Sequence, residues 1–396
     1  MRNGRILISG AGIAGPCLAY WLQRFGFEPV LIERAPALRT GGYIIDFWGL
    51  GFDVAEKMGL VPALRRDSCQ IDDVRIVDVK GRKTGGFSVR AFSALAKGRY
   101  LSILRSDLSR LIFACLGRRT RTMFGDTITG IYQDATGVDV TFQAAPPERF
   151  DLVIGAGGLH SPVRRLVFGP REWFEKYLGY YIASFSVENY PRRDAHTYVT
   201  YSAPGLQVSR YSLRDGRTVF LLAFASAARL PLPAHDLTAQ KDALRRSFRW
   251  AGWECREILD ALDGCEELYF DSVSQIRMQS WQEGRIALVG DACFCPSLLA
   301  GQGSALAMAA AYILAGELAR TDGDYRLAFP AYEHLLQPLL VRKQRAAESF
   351  ARSFVPQTEL GILMRNSVTR LMAFAPFARL FMGRFLRDPL TLPNYP

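Results

Sequence analysis

The chain has 396 residues, 49% of them hydrophobic and 22% charged, with a formal net charge of +11. This composition excludes a disordered polymer and supplies a large core, which at this length implies two closely packed domains. The apolar run Ile6-Leu-Ile-Ser9 is too short for a secretory signal. The longest apolar stretch, Ala305 to Ala315, falls short of the about 20 residues that a bilayer span needs, so a cytoplasmic protein is expected.

Arg5 to Ser9 reads as a short buried strand. The glycines that follow form a turn, Cys17 to Phe25 continues as a helix closed by Gly26, and Pro29 to Glu33 is a second strand. Asp73 to Val79 and Val138 to Phe142 alternate apolar and polar residues, the mark of antiparallel strands. Leu101 to Leu116 reads as a strand entering a helix, with Arg105 near the junction. Tyr198 to Tyr201, Leu206 to Tyr211 and Thr218 to Phe224 are strands separated by turn residues, and they are expected to form one wall of a pocket. Lys241 to Leu262, Gly303 to Arg320 and Tyr325 to Phe354 are expected helices.

Seven cysteines without a CxxC pair fit reduced, mostly buried thiols. Cys293 and Cys295 lack the companions of a tetrahedral set, so no metal is expected. Arg342 to Arg387 holds nine Lys/Arg against two acids, with Arg365, Arg370, Arg379, Arg384 and Arg387 set among Leu, Met and Phe. The expected arrangement is a basic outer face on helices whose apolar side packs on the body. A membrane-surface helix is the less favoured alternative, and nucleic acid lacks any recognised motif.

Three separated segments point to a dinucleotide. Gly10-Ala-Gly12-Ile-Ala14-Gly15 sits at the first strand-to-helix turn of a βαβ unit, and Glu33 ends the second strand. Its first glycine permits the tight turn, its second admits the pyrophosphate, and its third lets the helix sit close to the strand. The helix N-terminus then offers N–H groups and a positive dipole end to phosphate. An acid at position 33 suits ribose hydroxyls and implies an adenosine without a 2′-phosphate. Asp151-Leu-Val-Ile-Gly155-Ala-Gly157 is the second segment. Arg285-Ile-Ala-Leu-Val-Gly290-Asp291, followed by Gly301-Gln302-Gly303, is the third.

Together these segments resemble the class A flavoprotein aromatic monooxygenases of the p-hydroxybenzoate-hydroxylase-like fold, within the branch that includes tetracycline-degrading monooxygenases. The resemblance covers nearly the whole chain, down to the closing Leu392-Pro-Asn-Tyr. It implies an α/β fold: a Rossmann-like FAD-binding domain of the GR2 type, an inserted, mostly antiparallel substrate sheet and a C-terminal helical segment. The expected division is 1–72, 98–170 and 272–345 for FAD, 73–97 and 171–271 for substrate, and 346–396 for the helical segment.

The cofactor site implied by the resemblance comprises Gly10, Gly12, Ala14, Gly15, Glu33, Arg34, Arg39, Asp46, Arg105, Asp291, Gly301, Gln302 and Gly303. Arg39 and Asp46 match a segment that touches flavin and the nicotinamide donor, Arg105 a flavin-nucleotide arginine, and Asp291 the residue that holds the ribityl chain. FAD is then the cofactor, NADPH or NADH the electron donor, and O2 the oxidant. The substrate is an aromatic or polycyclic lipophilic small molecule. Reduced flavin carries the chemistry, so no catalytic side chain is named. The rival readings are a flavin-dependent reductase or dehydrogenase without oxygen insertion, and a non-catalytic flavin-binding or membrane-associated accessory protein.

Two positions depart from the family pattern. Gly157 stands where the middle motif carries Asp, a change expected to alter NAD(P)H handling, and Phe294 stands where many relatives have His. His160 is a minor candidate base. Tyr43, Phe47, Trp48, Tyr180, Tyr181 and Phe185 are candidates to line a pocket for a flat substrate.

Overall fold

The Arg5–Ser9 strand carries Ile6, Leu7 and Ile8 with no exposed surface, because both of its faces are covered. In the computed structural model, which describes residues 3–117, 120–233, 236–372, 377 and 390–395, it lies within a six-stranded sheet. The strand order is Gln282–Glu283, Ile286–Leu288, Leu152–Gly155, Arg5–Ser9, Glu28–Glu33 and Arg121–Phe124. All pairings are parallel except that of the edge strand Gln282–Glu283, and continuous apolar runs follow from burial on both faces. The Ala14–Arg24 and Gly303–Arg320 helices pack together against this sheet, and their small residues allow close approach.

A seven-stranded sheet runs Tyr269–Ile276, Glu175–Val187, Thr218–Ala225, Leu206–Ser212, Thr197–Ala203, Asp73–Val77 and Lys83–Ser88. It is antiparallel except where Thr197–Ala203 runs parallel to Asp73–Val77. Val138–Phe142 belongs instead to a separate three-stranded antiparallel sheet.

The period of two divides the candidate aromatics. Tyr181 and Phe185 point to the outer face of the large sheet and pack beneath Leu244, Phe248 and Ile258, so they are core residues and not pocket lining. Phe47 is likewise buried, against Phe52. Tyr180 and Ile182 point to the inner face, with Ala223, Val273 and Leu299.

Two expectations are overturned. The span Lys241 to Leu262 is two helices, Leu237–Phe248 and Cys255–Ala261. The chain breaks where Gly252 meets Val79, whose Cγ2 would lie 2.1 Å from a Cβ there, and Trp253 turns with φ +57°. In the Glu359–Leu371 helix the apolar side faces away from the body, opposite to the expected basic outer face. Arg365 and Asn366 instead face the sheet, because their partners Ser202, Gln207 and Thr84 are polar. Arg379, Arg384 and Arg387 lie outside the described residues. The closing segment returns to the body, where Tyr395 rests on Gly316 and its hydroxyl donates to Glu317 Oε1 at 2.7 Å.

Candidate active site

The C-terminal ends of Arg5–Ser9, Glu28–Glu33 and Leu152–Gly155 open onto one cavity of about 550 Å³. Open α/β sheets take ligands at this end of their strands. The three opening glycines have separate tasks. Gly10, at φ +119°, passes so close to the middle segment that a Cβ would lie 2.6 Å from the Ala156 carbonyl oxygen. At Gly15 a Cβ would lie 1.9 Å from the Gly10 carbonyl oxygen, so Gly15 packs helix on strand and does not line the cavity. A Cβ at Gly12 would meet only an Arg105 nitrogen at 3.8 Å, which leaves its backbone open to the cavity. The Ala14–Arg24 helix has no side-chain cap and no acid in its first turn. Its leading N–H groups are therefore not satisfied by a cap and can meet an anion.

Glu33 lines the same cavity and does more than its motif implies. Its Oε2 accepts the Ala11 N–H at 2.8 Å and its Oε1 accepts the Ala35 N–H at 2.9 Å. The carboxylate thus ties the glycine turn to the end of the second strand. Each oxygen has a further lone pair for a hydroxyl group. Arg34 and Arg39 also line this end.

At the other end, Arg105 begins the Arg105–Ala114 helix, and its N–H donates to the Tyr43 carbonyl at 3.0 Å. Burial works against its charge, but Tyr43, Tyr269 and Asp291 offset this and raise the guanidinium above its ordinary range. Burial pushes the Tyr43 hydroxyl up to about 12, with Arg105 pulling the other way. The Tyr43 and Tyr269 rings lie 5.1 Å apart.

Asp291 follows Gly290, whose φ of +67° turns the chain out of the Ile286–Leu288 strand. Burial raises its carboxyl above the usual range and Arg105 draws it back. Its Oδ1 is buried and has no hydrogen-bond partner among the described residues. Gly301, Gly303 and Ser304 line the cavity at the start of the 18-residue Gly303–Arg320 helix, which has neither a side-chain cap nor an acid in its first turn. A Cβ at Gly303 would stand 3.7 Å from Asp291 Oδ1, so carboxylate and helix start adjoin.

Of the thirteen candidates, the structure brings Gly10, Gly12, Ala14, Glu33, Arg34, Arg39, Arg105, Asp291, Gly301 and Gly303 onto this cavity. Gly15, Asp46 and Gln302 do not line it. Asp46 is displaced by strand alternation: Tyr43 and Ile45 line the cavity, while Asp46 accepts from Ser102 Oγ at 2.7 Å. Tyr100 and Ser102 hydrogen-bond to its carboxyl, and the residue is otherwise exposed. Gln302 is buried where it precedes the helix.

Sequence reasoning missed Tyr269, Asp271 and Arg171 on the cavity wall. Arg171 Nη1 lies 2.9 Å from His160 Nδ1, and Asp271 Oδ2 lies 3.0 Å from His160 Nε2. A guanidinium only donates, so Nδ1 accepts and Nε2–H donates to Asp271. His160 is thereby held by two partners and is not a free base. Strand alternation from Tyr269 was the available signal, but only the folded sheet places it beside Arg105. Arg164, almost wholly buried, donates to the Ala292 and Leu159 carbonyls at 2.8 and 2.6 Å and ties the second segment to the third. At Gly157 a Cβ would stand 2.9 Å from Pro162 Cδ and 3.1 Å from Ser161 Cα, so local packing favours glycine over a residue with a side chain.

Residues 4–323 match the family described as FAD binding domain. The chain belongs to the FAD-dependent monooxygenases. It is 36% identical over 392 residues to a flavin-dependent monooxygenase of an unknown prokaryotic organism, covering 99% of this chain and 98% of that one. A flavin-dependent monooxygenase of Legionella longbeachae serogroup 1 (strain NSW150) is 34% identical over 395 residues, covering 100% and 99%. The crystal structure of tetracycline destructase Tet(51) is similar with a TM-score of 0.85 at 34% identity, covering all of both chains. The fold and the FAD cofactor of this monooxygenase are those implied by its three sequence segments. Among the described residues, no helix is long and apolar enough to cross a membrane.

Proposed function

We propose that the cavity holds FAD between Glu33 and the start of the Gly303–Arg320 helix, for a reaction in which NADH or NADPH supplies electrons and O2 supplies one oxygen atom. The observation that carries this reading is the buried, unpartnered Oδ1 of Asp291 beside Arg105, since a buried acceptor calls for a donor such as a ribityl hydroxyl. Glu33 would receive the adenosine ribose, and the N-terminus of the Ala14–Arg24 helix, bare at Gly12, would receive the pyrophosphate. Bound there, FAD supplies hydride acceptance and oxygen activation. The N–H groups of Gly303 and Ser304 would stabilise negative charge on the reduced ring, aided by the positive end of the helix dipole.

The substrate in this proposal is an aromatic or polycyclic, lipophilic molecule that lies against the inner face of the large sheet. Tyr180, Ile182, Ala223 and Leu299 are themselves buried there with Ala351 and Val355, so the partly exposed Leu221 and Leu298 are the apolar groups that would meet it. The name of the tetracycline destructase supports a polycyclic member of this class. The division into 1–72, 98–170 and 272–345 for FAD and 73–97 and 171–271 for substrate accompanies the proposal.

The test is turnover of a tetracycline and a panel of phenols under 18O-labelled dioxygen with NADPH, read by mass spectrometry. One labelled oxygen atom in the product is expected. Product formed without label would convert the reading to a reductase or dehydrogenase, and a bound flavin that NADH and NADPH leave oxidised with every substrate would convert it to a non-catalytic binder.

A further inference from the structure

The Glu359–Leu371 helix is turned inside out. At 3.6 residues per turn, Leu360, Leu363, Met364, Ser367, Val368 and Leu371 share an arc of roughly 140°. The five apolar members of that arc are all exposed, from 40% at Val368 to 67% at Leu360. The opposite arc faces the large sheet with the buried Ile362 set among polar groups. Arg365 Nη1 donates to Ser202 Oγ at 3.0 Å and Gln207 Oε1 at 3.1 Å, and Asn366 Nδ2 donates to Thr84 Oγ1 at 3.1 Å. The Gly86 N–H donates to Thr369 Oγ1 at 3.3 Å. Gly85 permits this approach, because a Cβ there would stand 2.9 Å from Thr369 Oγ1 and 3.3 Å from the Asn366 Cα. A helix that served only to cover the sheet would present its apolar arc to it. Here hydrogen bonds hold the helix and the apolar arc is left for another surface.

Charge selects that surface. The exposed Arg342, Arg345 and Arg352 lie on the preceding Tyr325–Phe354 helix, and the exposed Arg370 lies on this one. The two helices meet where Arg365 Nη1 approaches the Phe354 carbonyl at 3.5 Å. The whole chain carries +11. A second copy would bring like charges together around the apolar arc, whereas an anionic bilayer complements both features. An exposed apolar stripe with Arg370 at its edge and further exposed arginines on the adjoining helix is the composition of a helix that lies in a lipid interface.

We propose that the Glu359–Leu371 helix docks the protein on an anionic lipid surface, with Leu360, Leu363, Met364, Val368 and Leu371 entering the headgroup–acyl boundary. The neighbouring arginines then meet lipid phosphates. The helix rests on Lys83–Ser88 and Thr197–Ala203, so docking brings that end of the large sheet to the lipid.

The test is co-sedimentation of the full, FAD-loaded chain with vesicles of phosphatidylcholine alone or mixed with phosphatidylserine. Binding to the mixed vesicles is expected, with little on phosphatidylcholine alone and less at high salt. In the double variant Leu363→Glu/Met364→Glu, binding should fall about tenfold or more, because two carboxylates would have to enter the apolar layer. Arg345→Gln should weaken it about fivefold. Flavin spectrum and melting temperature should match the parent, and Leu360→Gln/Leu371→Gln provides a second, milder test on the same arc. The proposal is overturned if the parent does not pellet, or if both double variants pellet as the parent does. It is also overturned by a dimer in sedimentation velocity that Leu363→Glu/Met364→Glu converts to monomer, which would assign the arc to a second copy.

Discussion

Replacing Glu33 with Gln isolates the two roles of that carboxylate. In the parent each carboxylate oxygen accepts one backbone N–H, from Ala11 at 2.8 Å and from Ala35 at 2.9 Å. Glutamine retains one acceptor oxygen and presents an amide NH2 in place of the other. Either orientation leaves one of the two N–H groups facing a donor. Hydrogen bonds to charged groups contribute about 1.5–3 kcal/mol each, so a loss of that size is expected. Part of it falls on the flavin-free protein, because both contacts exist without ligand. If the whole loss appeared in binding, FAD affinity would fall roughly 10- to 100-fold. The assay is quenching of FAD fluorescence by the flavin-free chain, paired with thermal melts of that chain. A Glu33→Gln variant that binds FAD and melts like the parent would refute the assignment of both roles.

Three further outcomes follow from the packing and charge of the same region. Gly15→Ala places a methyl group 1.9 Å from the Gly10 carbonyl oxygen; it should destabilise the protein by about 1–3 kcal/mol or more in chemical denaturation and weaken flavin retention. Asp126 is buried, which opposes its charge, but N–H donors from Ala145, Ala144 and Thr127 hold its carboxyl below the usual range. Its contribution is therefore full above the ordinary carboxylate pKa and is lost as pH falls through the depressed value. Asp126→Asn should lower stability at neutral pH by about 1–3 kcal/mol and flatten the acid limb of the stability profile measured by denaturant titration. Gly157→Asp meets Pro162 at 2.9 Å; a lower melting temperature shared by Gly157→Ala is expected, whereas a stable Asp variant with faster flavin reduction by NADPH would show that only the carboxylate was missing.

The nucleotide end was legible because its constraints are local. Glycine spacing, a strand on either side and an acid at position 33 all act within one βαβ unit, and the Gly303–Arg320 helix announced itself by composition. The far wall was not, since Tyr269 and Asp271 reach Arg105 and His160 through strand pairing across long sequence separations. The same limit separated Asp46 from the cavity, for its neighbours Tyr43 and Ile45 carry the lining and alternation turns it away. The break at Gly252 was hidden because its cause, Val79, lies far back in the chain. Arginines set among Leu, Met and Phe after Arg342 suggested a basic outer face, but which side of Glu359–Leu371 met the body depended on polar partners at Thr84, Ser202 and Gln207.

The most direct measurement is equilibrium loading of the flavin-free chain with FAD, followed by visible spectrum, for the parent and for Asp291→Ala and Arg105→Ala. Stoichiometric binding by the parent with a perturbed flavin spectrum is expected, together with clearly weaker binding by both variants while each remains folded. Failure of the parent to bind FAD, or loading of folded Asp291→Ala and Arg105→Ala indistinguishable from the parent, would contradict the placement of the flavin in this cavity.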